Sequence, residues 1–186
     1  MYQLIDMTPE TEALAYPIGK FEMPLEYDET QIRKWIERIE VSPKWYDAAI
    51  ENMDEAQLLT PYRPDGWTVM QVIHHVADSH MNAYIRFKWA LTEDCPTIKP
   101  YHEKQWAELP DVFNVPVNVS VTILHALHRR WVALMRDMTT EDWKRAMVHP
   151  EHNRRMELWQ LLAMYAWHTK HHFEHIFRLR ERMNWL

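Results

Sequence analysis

Four long stretches of the chain place apolar side chains three and four positions apart, and this pattern constrains the fold more than any other feature of the sequence. The stretches cover about 28–53, 68–91, 118–138 and 156–183. Such spacing puts the apolar groups on one face of a helix. Ten of the eleven prolines lie outside these stretches. The sequence therefore predicts an all-α protein, an antiparallel-type four-helix bundle.

Two of the predicted helices carry recognisable starts. Asp28 is suited to cap the first helix, and Thr68 with Gln71 matches a capping box at the start of the second. Pro43 lies inside the first helix, where a proline removes one backbone hydrogen bond. Because the apolar phase continues across Pro43, the pattern favours one kinked helix, with two shorter helices as the alternative.

The segments between the helices differ in character. Residues 1–27 contain three prolines and are predicted to form an extended N-terminal arm. Residues 92–117 contain four prolines and form a long crossover loop, in which 101–109 could make one helical turn or two. Residues 139–156 are predicted to form a helical turn and then a small hairpin around 149–153, directly before the last helix.

Composition places the chain among ordinary globular proteins. Hydrophobic residues make up 47% and charged residues 26% of the 186 positions, which suffices for the core of a single domain over 1–186. With only Gly19 and Gly66, the chain contains no glycine-rich nucleotide-binding fingerprint. Cys95 is the single cysteine, so an internal disulfide and a cysteine-rich zinc finger are excluded.

Charge and hydropathy indicate which binding partners and which compartment to expect. The formal net charge of −6 disfavours a nonspecific nucleic-acid binder. No apolar run approaches the ~20 residues of a membrane span, and the first residues lack the pattern of a secretory signal. We therefore expect a cytoplasmic protein that binds neither nucleic acid nor membrane.

The predicted fourth helix carries three histidines on the seam that faces the core. The seam advances in steps of three or four residues, through Leu158, Leu161, Tyr165, His168, His172, His175, Leu179 and Met183. A single histidine at such a position is usually a buried ring held by hydrogen bonds. Three within two turns point instead to a shared metal ion, because each buried imidazole needs partners for both of its nitrogens.

Spacing decides which of these histidines could share an ion. His168 and His172, at i and i+4, lie on one face about 5–6 Å apart, as in metal-binding HExxH helices. His172 and His175, at i and i+3, could also chelate. His168 and His175 are separated by about 10.5 Å along the helix axis, which is too far for one ion. His171 lies off the seam, at its flank.

A third ligand is expected from another helix, since open zinc-type sites usually take three protein ligands. The second and third helices offer the remaining candidates, which are His74, His75, His80, His125 and His128. Helical spacing alone does not choose among these five residues.

Two segments of the sequence resemble the DinB/YfiT superfamily, and specifically its YfiT-type metal-dependent hydrolases. The first is PYRPDGWTVMQVIHHVADSHMNAYIRFK at 61–88, and the second is YAWHTKHHFEHI at 165–176. The arm segment YPIGKFEMP and the loop segment TIKPYHEKQWAEL are similar too. The resemblance therefore extends over nearly the whole chain.

The resemblance implies a DinB-like four-helix bundle with one three-histidine metal site per subunit. The family's ligands correspond to His75, His168 and His172, all of which are present. It also implies a homodimer and a divalent cation, zinc in the first place and nickel as the alternative, with water in the open positions. The implied activity is metal-dependent hydrolysis, while related branches transfer low-molecular-weight thiols such as bacillithiol and mycothiol.

Three functions follow as alternatives. The first is a hydrolase that attacks a small-molecule substrate with water activated by the metal. The second is a bacillithiol-type S-transferase, in which the metal binds the thiolate of a co-substrate. The third is a non-enzymatic bundle with a structural metal. Three ligands argue against the third, because structural zinc sites are usually closed by four.

Several polar side chains are candidates for supporting roles. The general base, or the group that orients the water, is expected among Asp78, Ser79 and His80, and a polar cluster on the helix surface is the alternative interpretation. A thiol transferase would also need cations beside its cavity. The candidates for these cations are Arg86, Arg129 and Arg130, and solvated surface positions are their alternative.

Overall fold

The computed structural model describes residues 8–151 and 154–185. Within these residues the chain forms helices and one two-stranded hairpin. In chain order they are α1 (Pro9–Ala15), α2 (Glu29–Ile50), α3 (Glu55–Leu58), α4 (Val69–Thr92), α5 (Glu103–Trp106), α6 (Pro110–Asn114), α7 (Val117–Arg136), α8 (Thr140–Trp143), β1 (Ala146–His149), β2 (Arg154–Glu157) and α9 (Leu158–Met183).

The four long helices α2, α4, α7 and α9 form a bundle. Helices α2 and α4 each pack against both α7 and α9, so α2 and α4 occupy opposite corners although they are neighbours among the long helices of the chain. The hairpin of β1 and β2 lies directly before α9 in the sequence. The predicted all-α four-helix bundle with a long crossover and a small hairpin is therefore confirmed.

Two apolar clusters fill the bundle, and the histidine-bearing part of α9 lies between them. One cluster surrounds Trp131 and the other includes Tyr46, and neither of these side chains has exposed surface. The large buried side chains of α9 up to Tyr165 belong to the first cluster, and Ile176 and Leu179 belong to the second. The histidines therefore occupy a polar layer inside an otherwise apolar interior.

The predicted helix starts are confirmed. The Asp28 carboxylate accepts the N–H of Thr30 at 2.7 Å at the start of α2. At the start of α4 the Gln71 N–H donates to Thr68 Oγ1 at 3.2 Å, and the Thr68 N–H donates to Gln71 Oε1 at 3.0 Å. These caps satisfy backbone groups that the helices themselves leave without partners.

Helix α2 runs through Pro43 without a break, which confirms the prediction of one helix. Because proline has no N–H, the carbonyl of Ile39, four residues earlier, lacks its usual helix partner. The hydroxyl of Ser42 donates to this carbonyl oxygen at 3.0 Å. A carbonyl oxygen has two lone pairs, so a second donor can reach Ile39 from outside the helix.

The N-terminal arm differs from its prediction. Residues 1–7 lie outside the described part, and Pro9–Ala15 form helix α1 where extended chain was expected. The Thr8 hydroxyl accepts the N–H of Thr11 at 3.2 Å and caps this helix. Pro9 occupies the first turn, where its missing N–H removes no hydrogen bond. A proline that suggested extended chain thus favours the start of a helix.

The last helix begins later than predicted. Met156, within the expected first turn, instead lies in β2, where it pairs with Met147 of β1. Glu157 and Gln160 form a capping box that starts α9 at Leu158. Residues 152–153, in the predicted hairpin, lie outside the described residues.

The crossover between α4 and α7 contains α5 within 101–109, where a helical turn was expected, and also α6, which lies beyond that range. Among the described residues, no helix combines the length and the apolar character needed to cross a bilayer. The crossover matters for function because residues just before and within α5 cover one side of the histidine layer.

Candidate metal centre

The structure brings His75, His168 and His172 together, and we call this set the triad. His75 comes from α4, and the other two lie one turn apart on α9. One ligand atom from each ring lies within 4.8 Å of the other two. The Nε2 atoms of His75 and His168 are 3.3 Å apart. The three residues named by the resemblance can therefore share one ion without rearrangement of the backbone.

The triad rings are held in their neutral form. Burial, assisted by neighbouring histidines, lowers the pKa of His75 to about 4 and lowers those of His168 and His172 well below the usual value. A neutral imidazole offers a lone pair, which is what a metal ion requires. At neutral pH the triad therefore presents ligands that need not lose a proton on metal binding.

A chain of hydrogen bonds, which we call the relay, leads from α2 to the triad. It begins at the carbonyl of Ile39, which Pro43 leaves without a helix partner. His128 Nδ1 lies 2.7 Å from this oxygen. Because a carbonyl only accepts, His128 Nδ1 must carry the proton. In the neutral ring His128 Nε2 is then an acceptor.

The remaining links of the relay follow from this first one. His80 Nδ1 lies 2.8 Å from His128 Nε2 and donates to it, which leaves His80 Nε2 as an acceptor. His168 Nδ1 lies 3.3 Å from His80 Nε2 and donates in turn. The lone pair of His168 is therefore fixed on Nε2, the atom that faces His75. Each of the four long helices supplies one link.

Burial keeps the relay neutral, so its direction persists at neutral pH. It lowers the pKa of His128 to about 4 and that of His80 well below its usual value, helped by the adjoining rings. His80 has no exposed surface and His128 almost none. Partners of this kind orient metal-binding histidines and raise their basicity.

A cavity of about 380 Å³ opens beside the triad. This volume suits a small organic molecule. Besides the triad, its described lining consists of Trp67, Ser79, Arg86, Pro100, Tyr101, Glu103, His149, Glu151, Tyr165, Trp167 and His171. The triad is therefore open on one side to a ligand and closed on the other by the relay.

The candidates for a general base are placed differently from one another. Ser79 lines the cavity, whereas His80 lies behind His168 in the relay. Asp78 is not in the described lining of the cavity. Its pKa is raised to about 6 by partial burial and by the nearby Asp111. Among the three candidates only Ser79 is placed to touch a ligand in this cavity.

The other histidines considered as third ligands lie away from the triad. His74 Nδ1 contacts the Ser120 hydroxyl at 2.8 Å. His125 is exposed and lies 2.7 Å from the Asp47 carboxylate. His80 and His128 form the relay. The sequence offered all of them as ligands, but their spacing did not predict that His80 and His128 would form a chain of hydrogen bonds.

A second cluster of histidines adjoins the triad, and we call it the flank group: His171, His172 and His175. One ligand atom from each lies within 4.8 Å of the others, so these three atoms are also close enough together to hold an ion. His175 Nε2 donates to the carbonyl of Ala15 at 3.0 Å, and its ring stacks on that of Tyr62 with the ring centroids 3.9 Å apart. The His172–His175 pairing thus stays geometrically possible.

The three arginines considered as candidate cations differ in burial. Arg86 is buried and lines the cavity, with 6% of its surface exposed. Arg129 and Arg130 are exposed on α7, and Arg130 lies over the ring of Tyr84. Only the first of the three is therefore placed to meet a ligand beside the triad.

A family profile and several known proteins match this chain. The profile of the DinB superfamily matches residues 38–176. Relatives from Bacillus cereus (strain 03BB102) and Bacillus thuringiensis subsp. konkukian (strain 97-27) are each 51% identical over 172 residues, which is 92% of this chain and 98% of theirs. Both carry the name "Putative metal-dependent hydrolase".

A solved structure is similar over the same extent. YfiT from Bacillus subtilis, described as "a probable metal-dependent hydrolase with an unusual four-helix bundle topology", superposes with a TM-score of 0.91 at 45% sequence identity. The match covers 94% of this chain and 99% of YfiT. The placement of α2 and α4 at opposite corners belongs to this shared architecture.

Proposed function

The chain belongs to the DinB superfamily, and we propose that it is a metal-dependent hydrolase in which His75, His168 and His172 hold one divalent cation. The observation that carries the proposal is the triad itself: three neutral imidazoles from two helices, within 4.8 Å of one another, beside an open cavity. The names of the relatives support the same activity.

The donor set indicates which ions fit. Imidazole nitrogens suit zinc and nickel, whereas magnesium and calcium prefer oxygen. We expect zinc in the first place and nickel as the alternative, one ion per subunit. When bound, such an ion lowers the pKa of water toward neutrality and polarises a carbonyl group. Three protein ligands leave room for this chemistry on the cavity side.

The residues of the chain then have distinct tasks. The relay orients His168 and directs its lone pair. Tyr101 and Tyr165 line the cavity, and burial raises the pKa of both phenols. They stay protonated at neutral pH and can donate hydrogen bonds to a developing oxyanion. Ser79 can position the substrate or the attacking water from α4.

The test is hydrolysis of a panel of esters and amides by protein loaded with zinc or nickel. We expect turnover that depends on the metal and disappears in His172→Ala, together with the bound ion. His125→Ala is the matched control, since His125 is an exposed histidine away from the cavity. Equal turnover by His172→Ala and the wild type would contradict the proposal.

One observation favours a second candidate, the thiol S-transferase. The buried cation Arg86 lines the same cavity, as expected for an anionic thiol co-substrate. Titration of the cobalt-substituted protein with cysteine and 2-mercaptoethanol separates the candidates. A strong thiolate-to-metal charge-transfer band at micromolar thiol would favour transfer over hydrolysis. A site that responds to no thiol and no anion would indicate a structural metal.

We also expect a homodimer, for which the family resemblance is the support. Light scattering at micromolar concentration should give about twice the chain mass of 22.7 kDa. A mass near that of one chain would contradict this expectation and leave the metal chemistry unaffected, because all three triad residues come from one chain.

A further inference from the structure

Arg86 is a buried cation that has no counter-ion among the described residues. It lies on α4 with 6% of its surface exposed. Within residues 8–151 and 154–185, its hydrogen bonding is limited to Nη1, which donates to Tyr165 Oη at 3.2 Å, and no carboxylate forms an ion pair with it. Its Nε is buried and has no partner there.

This arrangement is costly unless a ligand completes it. An arginine does not lose its proton in a protein, so burial cannot be relieved by neutralisation. A buried charge is normally paired, because burial removes the water that would otherwise solvate it. A divalent cation at the triad would add positive charge to the same cavity. The missing partner is therefore an anion that enters with the ligand.

Helix geometry places this anion site at a fixed distance from the triad. Arg86 follows His75 by eleven residues, which is about three helical turns and about 16 Å along the axis of α4. Both residues thus face the same side, and both line the one cavity. Helical side chains lean toward the N-terminus, so the guanidinium reaches back toward the triad and shortens this gap.

We propose that Arg86 binds a carboxylate of the substrate while the reactive group of the same molecule lies at the triad. The inference rests on the proposed function only for the location of the reactive group. A carboxylate fits better than a phosphate for two reasons. The described lining contains one guanidinium, that of Arg86, together with Glu103 and Glu151, which disfavour a second negative charge on the group that Arg86 binds. The fork of the guanidinium also matches a carboxylate with two parallel hydrogen bonds.

The test measures binding, so that it does not depend on turnover. Glutarate, which carries two carboxylates, is titrated by calorimetry into metal-loaded wild type, Arg86→Met and Arg129→Met. We expect Arg86→Met to weaken glutarate binding about 10- to 100-fold, the usual worth of a charge-assisted pair. Its metal content should remain that of the wild type. Arg129→Met, a loss of an exposed arginine, should bind like the wild type.

Two further measurements cover the cases in which Arg86→Met does not fold or the site prefers another anion. If Arg86→Met does not fold, Arg86→Lys keeps the charge but loses the fork, and it should weaken glutarate binding to a smaller degree. Butyrate and propylphosphonate, which differ only in the anionic group, are compared in the metal-free His172→Ala variant. Preference for the phosphonate would overturn the assignment to a carboxylate. Wild-type affinity of Arg86→Met for glutarate would overturn the anion site.

The outcome separates this inference from the proposed function. If no ester or amide is hydrolysed but glutarate affinity still depends on Arg86, the hydrolase proposal fails and the anion site stands. If hydrolysis occurs but its rate and KM depend neither on Arg86 nor on a carboxylate in the substrate, the hydrolase proposal stands and the anion site fails. A carboxylate-bearing ester and its neutral analogue provide that second comparison, with the preference expected in KM.

Discussion

The relay and the flank group lie on either side of the triad, and they differ in how their ring nitrogens are satisfied. Every nitrogen along the relay, up to His168 Nδ1, has a partner at 3.3 Å or less. In the flank group, by contrast, Nδ1 of each of the three rings is buried without a partner among the described residues. The described residues therefore fix the protons of the whole relay, whereas in the flank group their hydrogen bonds fix only the proton of His175, on Nε2.

The triad and the flank group also differ in how well they are arranged to bind a metal ion. In both, the ligand atoms lie close enough together to hold an ion. Outer partners raise ligand affinity, and each cluster contains one ring with such a partner: His80 directs the lone pair of His168, and the Ala15 carbonyl directs that of His175. All three triad residues line the cavity, whereas His175 is not in its described lining. The triad is thus the better prepared of the two.

Removal of a residue that both clusters share should have the largest effect. His172→Ala is expected to lower metal affinity more than the about 100-fold typical of losing an outer partner, as measured by chelator competition and elemental analysis. His125→Ala should leave both values unchanged. Full metal retention by His172→Ala, with loss in His175→Ala, would move the ion into the flank group.

Acid should weaken both regions, because their rings are neutral in the folded state. Burial lowers the pKa of His128 and of His171 to about 4, whereas the unfolded chain binds these protons near pH 6.5. The stabilising contribution is therefore complete above about pH 6.5 and is lost as the pH falls toward 4. Urea denaturation of metal-free protein between pH 7.5 and 4.5 measures this loss.

The same series offers an internal control. His128→Phe removes one of the titrating rings, so its stability should depend less steeply on pH than that of the wild type. A variant with the wild-type slope would show that His128 does not stay neutral in the folded protein, and the direction assigned to the relay would then be wrong.

Breaking the relay behind the triad should have a smaller effect on the metal. His80→Phe keeps a ring in the interior but removes the acceptor of His168 Nδ1, and we expect metal affinity to fall about 10- to 100-fold. His74→Phe, at another buried histidine of α4, is the control. Nitrogen-15 NMR of the metal-free protein should show one tautomer of His168 in the wild type and a mixture in His80→Phe. Unchanged affinity with an unchanged tautomer would remove the relay from the metal site.

The smallest effect is expected in the flank group. His175→Phe retains a ring against Tyr62 and loses the hydrogen bond to Ala15. Stability should fall by about 1 kcal/mol, measured by denaturation, while metal content stays at its wild-type value. Loss of the ion from this variant would show that the two clusters act as one site.

The sequence could predict the triad because the information is local or shared with a family. The i, i+4 spacing of His168 and His172 follows from helix geometry, and the resemblance selects His75 from five candidates. The bundle was predictable for a similar reason, since the apolar period and the positions of the prolines act within each segment. The helix at Pro9–Ala15 was missed because one proline favours either extended chain or a helix start, depending on its neighbours.

The relay and the buried Arg86 could not be predicted, because both depend on packing between distant segments. Apolar spacing says which face of α7 is buried, but not that His128 meets His80 and the carbonyl of Ile39. Arg86 falls on a polar stripe of α4 and becomes buried only when α9 and the residues before α5 close over it. For the relay, Pro43 was the one local signal, since a proline within a helix frees a specific carbonyl.

Pro43 also bears on how this protein could be engineered. An interior proline costs a helix about 3 kcal/mol, so Pro43→Ala is the substitution that a stability screen would select first. The new N–H of residue 43 would return the Ile39 carbonyl to the helix ladder and compete with His128 for it. A more stable protein would then have a less firmly directed His168, so thermal tolerance would be gained at the expense of metal retention. In this bundle the backbone hydrogen bond that Pro43 removes from α2 leaves a carbonyl free, and that carbonyl determines the tautomer of His168 through the relay.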